Sequence, residues 1–327
     1  MSEQKILIDA FGCDNPDAVI DGIAKALNQL NTIKLAVVGD SEYIQNRLKA
    51  SVYDASRLEI INASEIISND DVPVAAVRQK KQSSLVVGYT ALKNREDLSV
   101  MITAGSTGAV IAGAILILGR ETREDRPFLA TFLPNDKGGF TCLADCGANV
   151  DCRPEHLFTF ARISSEYTTK MYGIEKPKVM LLSVGTEDKK GNVVTKEAFE
   201  LLKNSELNFC GNIEAKTVLS GEADVVVADG FNGNVLLKSI EGTTKSVCQR
   251  ISALLIKNAN ADTDLAFVKK SFGELMQMLD FNSMGGALLL GVKKPIIKAH
   301  GSANADTVVN TVKQAIKIID SKKCNLQ

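Results

Sequence analysis

The sequence lacks an excess of charge of either sign and has no long apolar run. Its 38 basic and 39 acidic side chains nearly balance, whereas a nucleic-acid-binding domain carries a clear surplus of lysine and arginine. The longest apolar stretch, residues 109–119, is shorter than the about 20 residues that span a bilayer. The first residues also lack the basic segment and apolar core of a secretory signal. We therefore expect a cytoplasmic protein that binds no nucleic acid.

Histidine is scarce, and the common catalytic and nucleotide-binding signatures are missing. The chain contains neither a GxxxxGK[ST] loop nor a GxGxxG after its first strand-like run, which disfavours kinases, ATPases and simple dinucleotide-binding enzymes. The absence of GxSxG argues against an α/β-hydrolase. Of the two histidines, His156 begins a predicted helix, where an ordinary partly exposed residue is expected. His300 follows an apolar strand-like segment, so it is the histidine that we expect near a site.

Seven cysteines, an odd number, argue against a closed disulfide framework. Cys142, Cys146 and Cys152 lie close together in the sequence but have no CxxC pair and no zinc-like spacing. Cys142 and Cys146 are expected on the same face of a strand as small apolar core residues. We expect reduced thiols, no metal site and no cofactor.

Strand-like and helix-like patterns alternate along the 327 residues, which predicts an α/β fold with mostly parallel strands and right-handed crossovers. No repeat, low-complexity tract or linker marks a boundary, so residues 1–327 are expected to form one domain. Asn15 is expected to cap the first helix, with Pro16 in its first turn, and Ser41 to cap the second. Strands are predicted at residues 5–8, 33–38, 58–61, 98–102, 128–133, 141–145, 179–184 and 224–228, and helices at residues 16–30, 41–50, 72–95, 154–172, 195–203, 232–256, 264–279 and 306–319.

Ligands in such sheets bind beyond the carboxyl ends of the strands, and one loop there has the chemistry of an anion site. This loop, AGSTG, lies between a buried strand and a helix. Gly105 and Gly108 let the backbone approach a ligand, the free N–H groups of the helix attract an anion, and Ser106 and Thr107 add hydroxyl donors. The alternative is that Ser106 only caps the helix while the glycines allow close packing. The other loops that follow strands are at residues 9–17, 145–151, 185–191 and 229–234.

A basic segment and two further small, polar loops favour the same interpretation. The loops are GANVD at residues 147–151 and DGFNGN at residues 229–234. RQKKQSS at residues 78–84 carries three cations, although a charge run on a helix is usually a solvated face. Together with the turn, these segments suggest an anion of the size of phosphate or a carboxylate, held without a metal.

Eight short segments occur in order along the chain: DAFGCD at residues 9–14, RQKKQSS at 78–84, AGSTG at 104–108, GANVDCRPEH at 147–156, GNIE at 211–214, GEAD at 221–224, DGFNGNVLLK at 229–238 and AHGS at 299–302. In this order they resemble the segments of the PlsX-type phosphate acyltransferases of bacterial phospholipid synthesis. The resemblance runs from the first strand to the last helix, and the ordered set is more specific than any single motif.

The resemblance implies transfer of a fatty acyl group from an acyl-acyl-carrier-protein to inorganic phosphate, which yields an acyl phosphate and the free carrier. It implies a three-layer α/β/α sandwich similar to isocitrate and isopropylmalate dehydrogenases and to phosphotransacetylases, and a homodimer. The family's product feeds a membrane glycerol-3-phosphate acyltransferase, so peripheral contact with the inner face of the membrane is implied. A helical hairpin at about residues 245–280 would serve dimer or membrane contact. The apolar and lysine-bearing pattern of residues 252–279 by itself favours a core or dimer face over a membrane-lying helix.

The resemblance and the loop chemistry together give a set of candidate site residues. Because phosphate is already an anionic nucleophile, positioning is the main requirement and no protein nucleophile is needed. The catalytic candidates are His300, Lys81 and Asn234, of which His300 would donate to the oxyanion or the leaving thiolate. The phosphate and substrate candidates are Asp9, Gly12, Asp14, Arg78, Lys80, Gly105, Ser106, Thr107, Gly108, Asn149, Asp229, Gly230 and Lys238. Arg120, Arg123 and Arg126 are expected to steer the acidic carrier protein, unless they serve solubility alone.

Some residues depart from the family pattern, and rival functions stay open. Cys13 stands where glycine is usual, which places a side chain where the backbone had room, and makes a transient acyl acceptor conceivable. The other departures are Phe11 for Met, Ser106 for Asn, Leu288 for Pro and Ala303 for Ser. One rival is a phosphotransacylase that uses acyl-coenzyme A, and another is a non-catalytic, membrane-associated scaffold of lipid synthesis. A metal-dependent dehydrogenase is disfavoured because no acidic cluster accompanies a catalytic Tyr and Lys in motif form.

Overall fold

The computed structural model describes residues 4–258, 265–278, 285–301 and 303–324. Its strands are β1 (Lys5–Asp9), β2 (Lys34–Gly39), β3 (Leu58–Asn62), β4 (Leu98–Thr103), β5 (Phe128–Pro134), β6 (Phe140–Ala144), β7 (Val179–Ser183), β8 (Phe209–Glu214), β9 (Val225–Val227), β10 (Ala287–Leu290) and β11 (Ile296–Lys298). They form one 11-stranded sheet in the order β3-β2-β1-β4-β11-β10-β5-β6-β9-β7-β8.

Helices cover both faces of the sheet. They are α1 (Pro16–Gln29), α2 (Ser41–Leu48), α3 (Pro73–Gln79), α4 (Ser84–Asn94), α5 (Thr107–Gly113), α6 (Pro154–Tyr172), α7 (Val193–Lys203), α8 (Gly230–Lys257), α9 (Leu265–Met278) and α10 (Ala305–Cys324). Among the described residues, no helix is both long and apolar enough to cross a membrane.

The sheet separates two hydrophobic cores, because successive side chains of a strand point to opposite faces. In β1, Ile6 and Ile8 enter the core beneath α1, α2, α6, α7 and α10, whereas Leu7 enters the core beneath α3, α4, α5 and α8. We call these the α1 core and the α4 core. The predicted three-layer α/β/α architecture with a mostly parallel sheet is confirmed.

The strands reverse direction in the middle of the sheet. β1, β2, β3, β4 and β11 are mutually parallel, but β10 is antiparallel to both β11 and β5, and β5 is antiparallel to β6. β6, β9, β7 and β8 therefore run opposite to β1. We call the edge where β1, β4 and β11 end the first edge, and the edge where β6 and β9 end the second edge. The loops that follow strands are thus divided between two edges, which the sequence pattern did not predict.

The helix starts follow local hydrogen bonding. The Asn15 side chain accepts from the Ala18 amide at 3.1 Å, so the predicted cap of α1 is confirmed. The predicted cap of α2 is wrong, because Asp40 occupies that position and accepts from the Tyr43 amide at 2.9 Å. Ser41 is instead the first helical residue, because the Asp40 carboxylate already accepts a first-turn N–H group.

The single long helix predicted over residues 72–95 is wrong. α3 ends at Gln79, and the Ser83 hydroxyl, which accepts from the Val86 amide at 3.4 Å, starts α4. At the break between the two helices, the backbone forms a hydrogen bond with the segment after β3: the Ser84 amide donates to the Glu65 carbonyl at 3.1 Å. The break therefore results from a contact with a distant segment, which helical periodicity does not report.

Two other expectations about strands are also wrong. Cys142 and Cys146 do not share a face: Cys142 lies in the α1 core within β6, and Cys146, after the end of β6, lies in the α4 core. The sequence patterns also missed β8 and β10. β8 is an edge strand in which only two of six residues are buried, and β10 has only four residues, so neither gives a clear alternating pattern.

Candidate active site

The loops after β1, β4 and β11 meet at the first edge. Gly12 lies against Gly105: a Cβ atom on Gly12, whose φ is 81°, would be 3.6 Å from the Gly105 Cα atom. The Asp14 amide donates to the Gly301 carbonyl at 3.0 Å, and a Cβ atom on Gly301 would be 3.0 Å from the Asp14 carboxylate. Three loops that are far apart in the sequence therefore share one narrow space.

A row of polar side chains crosses the sheet beneath these loops. Asp9, Thr103 and Lys298 end β1, β4 and β11, and Thr103 pairs in register with Lys298. Each follows by two positions a strand residue of the α4 core, so all three side chains point to that face. The Thr103 hydroxyl donates to Asp9 Oδ2 at 2.8 Å and accepts from the Gly105 amide at 3.1 Å. We call these three residues the polar row.

Asp9 orients the polar row from a buried position. The residue is 1% exposed, and burial raises the pKa of its carboxyl group to about 6. Hydrogen bonds from Ser84, Thr103 and the Phe11 amide act in the opposite direction on this pKa. Asp9 is therefore not itself exposed to a ligand; it fixes the Thr103 hydroxyl, which in turn fixes Gly105.

The glycine turn presents the start of α5 to the shared space. Ser106 occupies the N-cap position, but its hydroxyl makes no capping hydrogen bond, which argues against the alternative that it serves only as a cap. Gly105 is buried, Ser106 and Thr107 are partly exposed, and Gly108 is exposed. The first-turn N–H groups of a helix have no intrahelical acceptor and carry a partial positive charge. The turn therefore has the donors that an anion requires.

α3 holds the glycine turn from the other side. A Cβ atom on Gly108 would be only 2.6 Å from Pro73 Cγ, so a larger residue would push α3 away from α5. Two of the three basic candidates on α3 and in the turn after it contact other groups. Lys80 forms an ion pair with Asp71 at 2.7 Å, and the Lys81 ammonium lies 3.5 Å from the Val77 carbonyl. Within the described residues, none of these three candidates (Arg78, Lys80 and Lys81) forms a hydrogen bond with the turn.

Lys298 is the residue of this space that the sequence analysis missed. It is only partly exposed, and its ammonium donates to the Ala299 carbonyl at 2.7 Å. Burial first, and Lys238 second, lower the pKa of Lys298 to about 8, while Asp14 acts in the opposite direction. The available signal was a lysine at the end of an apolar strand, directly before the AHGS motif. Such a position places a charge at the carboxyl end of a strand, where ligands bind.

α8 brings Lys238 toward Lys298 but leaves Asn234 nearer the second edge. The two candidates are four residues apart, so they share a helix face. Lys238 pairs with Glu241 at 2.7 Å. Asn234 instead lies beside the loop after β6, because a Cβ atom on Gly147 would be 3.4 Å from Asn234 Oδ1.

Asn149, Asp229 and Gly230 lie at the second edge and build the start of α8. The Asn149 amide group donates to Asp145 Oδ2 and to the Pro127 carbonyl, each at 2.9 Å, and accepts from Arg126. Asp229 caps α8 by accepting from the Asn232 amide at 2.7 Å. A Cβ atom on Gly230 would be 2.6 Å from the Asn149 carbonyl oxygen. Four strand spacings separate β4 from β6, about 19 Å at about 4.8 Å each, so these residues do not join the glycine turn.

The two histidines have different surroundings. His300 is exposed and follows Lys298 by two residues, and its carbonyl accepts from the Ala303 amide at 3.0 Å. His156 accepts from the Arg153 amide through Nδ1 at 3.1 Å and so caps α6. His300 therefore lies at the first edge with the glycine turn, whereas His156 has the ordinary structural position that the sequence predicts.

Two departures from the family pattern contact the same small cluster. Ala104, Ala299 and Ala303 form an apolar cluster beside the glycine turn, and Cys13 packs against it. Burial raises the pKa of the Cys13 thiol to about 11. A thiol that stays protonated near neutral pH is a poor nucleophile, which weakens the hypothesis of a transient acyl acceptor.

Basic residues cluster at the far end of the helix that begins at the glycine turn. α5 continues into Ala114–Leu118, and Arg120 and Arg123 follow it as exposed residues. Arg126 is partly exposed and donates to Asn149. The pKa of His156 is lowered by burial, then by Arg126, Arg153 and Arg120, so these arginines lie close together. We call Arg120, Arg123, Arg126 and Arg153 the arginine patch.

α8 and α9 carry the exposed apolar side chains that the hairpin hypothesis requires. Leu254 is 57% exposed, and Ile256 and Phe267 are each 66% exposed. Residues 259–264 and 279–280 of the predicted hairpin lie outside the described residues. α8 and α9 contact each other, and the role of this segment stays a prediction.

The model of the fatty acid synthesis protein family matches residues 4–326. This chain belongs to that family. Within it, the phosphate acyltransferase of Caldanaerobacter subterraneus subsp. tengcongensis (strain DSM 15242 / JCM 11007 / NBRC 100824 / MB4) is 44% identical over 316 residues, which cover 96% of this chain and 93% of that protein.

The fold of this family member is similar to that of two groups of solved enzymes. A phosphotransacetylase from Streptococcus pyogenes aligns with a TM-score of 0.61 at 18% identity, covering 98% of this chain and 95% of that one. A 4-hydroxythreonine-4-phosphate dehydrogenase from Klebsiella pneumoniae aligns with a TM-score of 0.55 at 11% identity, covering 97% and 99%. At such identities the likeness concerns the fold alone.

Proposed function

We propose that this protein transfers a fatty acyl group from an acyl-acyl-carrier-protein to inorganic phosphate, which produces an acyl phosphate for phospholipid synthesis. The observation that carries the proposal is the glycine turn, fixed by the Thr103 hydroxyl through Gly105 and placed beside Lys298 at the first edge. Family membership and the name of the curated relative support the transfer of an acyl group to phosphate.

In the proposed mechanism, phosphate binds at the turn and attacks the thioester carbonyl. A phosphate oxygen forms a bond to the carbonyl carbon, the tetrahedral oxyanion collapses, and the C–S bond breaks with its electron pair on sulfur. The proton of hydrogen phosphate leaves with the carrier thiol, so that charge and atoms balance. The amides of the turn hold the phosphate, and the exposed His300 is the proposed donor to the oxyanion. No protein nucleophile is required, because positioning supplies most of the rate enhancement.

The arginine patch is the proposed docking surface for the acidic carrier protein. It lies at the end of the helical segment that starts at the glycine turn, roughly 18 Å away at 1.5 Å per residue. Opposite charges on two partners steer their encounter. The carrier would therefore bind away from the phosphate and extend its acyl-bearing thiol toward the first edge.

The proposed cellular setting follows from the exposed apolar residues of α8 and α9. We expect this surface to pair with a second copy of the chain, with peripheral contact at the inner face of the membrane as the alternative. Such contact would place the cytoplasmic enzyme near a membrane glycerol-3-phosphate acyltransferase. Sedimentation of the purified protein and flotation with anionic vesicles separate the two arrangements.

The activity test mixes the purified protein with an acyl-acyl-carrier-protein and phosphate. Free carrier thiol and hydroxylamine-reactive acyl phosphate are then followed together, with acyl-coenzyme A in a parallel reaction. Equal amounts of both products, formed only with phosphate, are expected. Thiol without acyl phosphate would indicate a thioesterase, and product from acyl-coenzyme A alone would identify a phosphotransacylase. If neither thioester reacts, the scaffold hypothesis replaces the proposal.

A further inference from the structure

Lys298 occupies a position that no sequence motif assigned. It ends β11, and its register partner Thr103 holds the amide of Gly105 in the glycine turn. Neighbouring strands lie about 4.8 Å apart, so the backbone of Lys298 is one strand spacing from the residue that fixes the turn. Its side chain points to the same face as Thr103 and Asp9. Lys298 therefore belongs to the part of the sheet that lies next to the glycine turn.

The charge of Lys298 lacks a close counterion. Its ammonium donates to the Ala299 carbonyl, and in the described part of the chain it forms no ion pair with a carboxylate. Lys238 faces it from α8 and is itself paired with Glu241. Asp14, from the loop after β1, is the acidic group that acts on it. A partly buried ammonium without a paired carboxylate is destabilised, and an anion placed beside it would offset that penalty.

Lys80 and Lys81, the lysines that the motif suggests, are less suited to this role. Lys80 is neutralised by Asp71, and Lys81 is exposed with its ammonium directed to the Val77 carbonyl. Both extend from the segment after α3 rather than from the sheet beneath the turn. A cation held by a central strand is positioned more rigidly than one on an exposed connection between helices.

We propose that Lys298 is the cation that binds the phosphate dianion at the glycine turn, and that phosphate binding keeps this lysine protonated. The inference rests on the proposed acyl transfer to phosphate and assigns the main charge of that site. The amides of the turn and the hydroxyls of Ser106 and Thr107 would hold the other phosphate oxygens.

A dependence of phosphate affinity on pH follows. Four charged or titratable neighbours face Lys298 or lie next to it: Lys238 on α8, Asp14 after β1, Asp9 across Thr103, and His300 on its own segment. With a pKa of about 8, Lys298 of the phosphate-free protein loses its proton above that pH. Binding of phosphate must then be accompanied by uptake of a proton at the Lys298 amine. The phosphate KM is expected to rise by up to about tenfold per pH unit above about pH 8. Inorganic phosphate is already a dianion in this range, so its own titration does not contribute.

The test compares Lys298→Met with the full-length wild-type protein. Methionine keeps most of the apolar stem and removes the charge, and Lys313→Met, an exposed lysine of α10 on the opposite face of the sheet, is the matched control. Loss of a hydrogen bond to a charged group corresponds to an increase of about 10- to 100-fold in phosphate KM. The KM for the acyl-acyl-carrier-protein is expected to stay within about twofold, and the control is expected to match the wild type.

Lys298→Arg provides a second test, the pH dependence of the phosphate KM, which a purely structural role of Lys298 would not affect. Arginine stays protonated throughout the accessible pH range, so its phosphate KM should remain flat above about pH 8 while that of the wild type rises. This comparison also decides the matter if Lys298→Met does not fold. An active wild type whose phosphate KM is flat above that pH, or a folded Lys298→Met with unchanged phosphate KM, overturns the Lys298 assignment but leaves acyl transfer intact. A wild type that makes no acyl phosphate overturns the proposed function itself.

Discussion

Replacing Thr103 with valine tests whether the polar row holds the glycine turn. Valine has nearly the same shape as threonine, so the substitution removes the hydroxyl and leaves the volume of this fully buried site unchanged. The hydroxyl makes two hydrogen bonds, donating to Asp9 Oδ2 at 2.8 Å and accepting from the Gly105 amide at 3.1 Å. Both partners are themselves buried, so solvent cannot replace the lost contacts.

The expected loss can be estimated from these two contacts. A buried group left without its partner costs about 1–3 kcal/mol, so Thr103→Val should lower the free energy of unfolding by about 2–6 kcal/mol. Thr103→Ser retains the hydroxyl and removes one methyl group, for which about 1 kcal/mol is expected. The pKa of Asp9 should also rise further in the valine variant, because the Thr103 hydrogen bond lowers it.

Urea unfolding at pH 7 measures the stability difference, and acyl phosphate formation measures the phosphate KM of both variants. The valine variant is expected to be the less stable and to have the higher phosphate KM, since Gly105 is no longer fixed. If Thr103→Val is as stable as Thr103→Ser and has the same phosphate KM, the polar row does not position the turn, and the reasoning is refuted.

Three further predictions concern neighbouring features. Burial raises the pKa of Asp9 to about 6, so the stability that Asp9 contributes is full at low pH and is lost as the pH rises through about 6. The wild type should therefore gain thermal stability relative to Asp9→Asn on acidification from about pH 7 to about pH 5, and a constant difference would contradict this. Gly108→Ala should lose about 1–3 kcal/mol in urea unfolding, because its Cβ atom would be 2.6 Å from Pro73 Cγ. Gly242→Ala in α8, where the Cβ atom meets nothing within 4 Å, should gain about 0.5–1 kcal/mol, and equal effects would exclude the predicted clash. Arg123→Glu should raise the KM for the carrier protein about threefold to tenfold at low salt and less at high salt; an unchanged value removes Arg123 from the docking surface, and the phosphate KM is the internal control.

The glycine turn could be predicted from the sequence because its signals are local. A buried strand, two glycines and a helix start within a few residues, and the structure places Gly105 and Gly108 as that pattern indicates. The same reasoning correctly identified Asn15 as a cap. The break at Ser83 depends instead on a segment near β3, and no local pattern reports such a contact.

The residues of the candidate site could be predicted only in part, because no single segment of the sequence indicates the direction in which its strand runs in the sheet. Asn149, Asp229 and Gly230 follow strands just as Gly105 does, yet the antiparallel strands β10 and β5 place them at the other edge. Lys298 was missed for a related reason. Its neighbour Thr103 belongs to β4, a strand in the first third of the sequence, so only the completed sheet reveals that the two side chains are adjacent.

The position of β10 and β11 also determines the order in which the parts of the candidate site form in a newly made chain. Strands from residues 5–103 pair among themselves, as do strands from residues 128–227, and β10 and β11 join these two groups in the middle of the sheet. During synthesis both groups leave the ribosome before the segment that connects them. Contacts of such high sequence separation form slowly. An unfinished chain therefore contains the glycine turn without Lys298. If Lys298 supplies the phosphate-binding charge as proposed, phosphate binding has to wait until these last strands are in place.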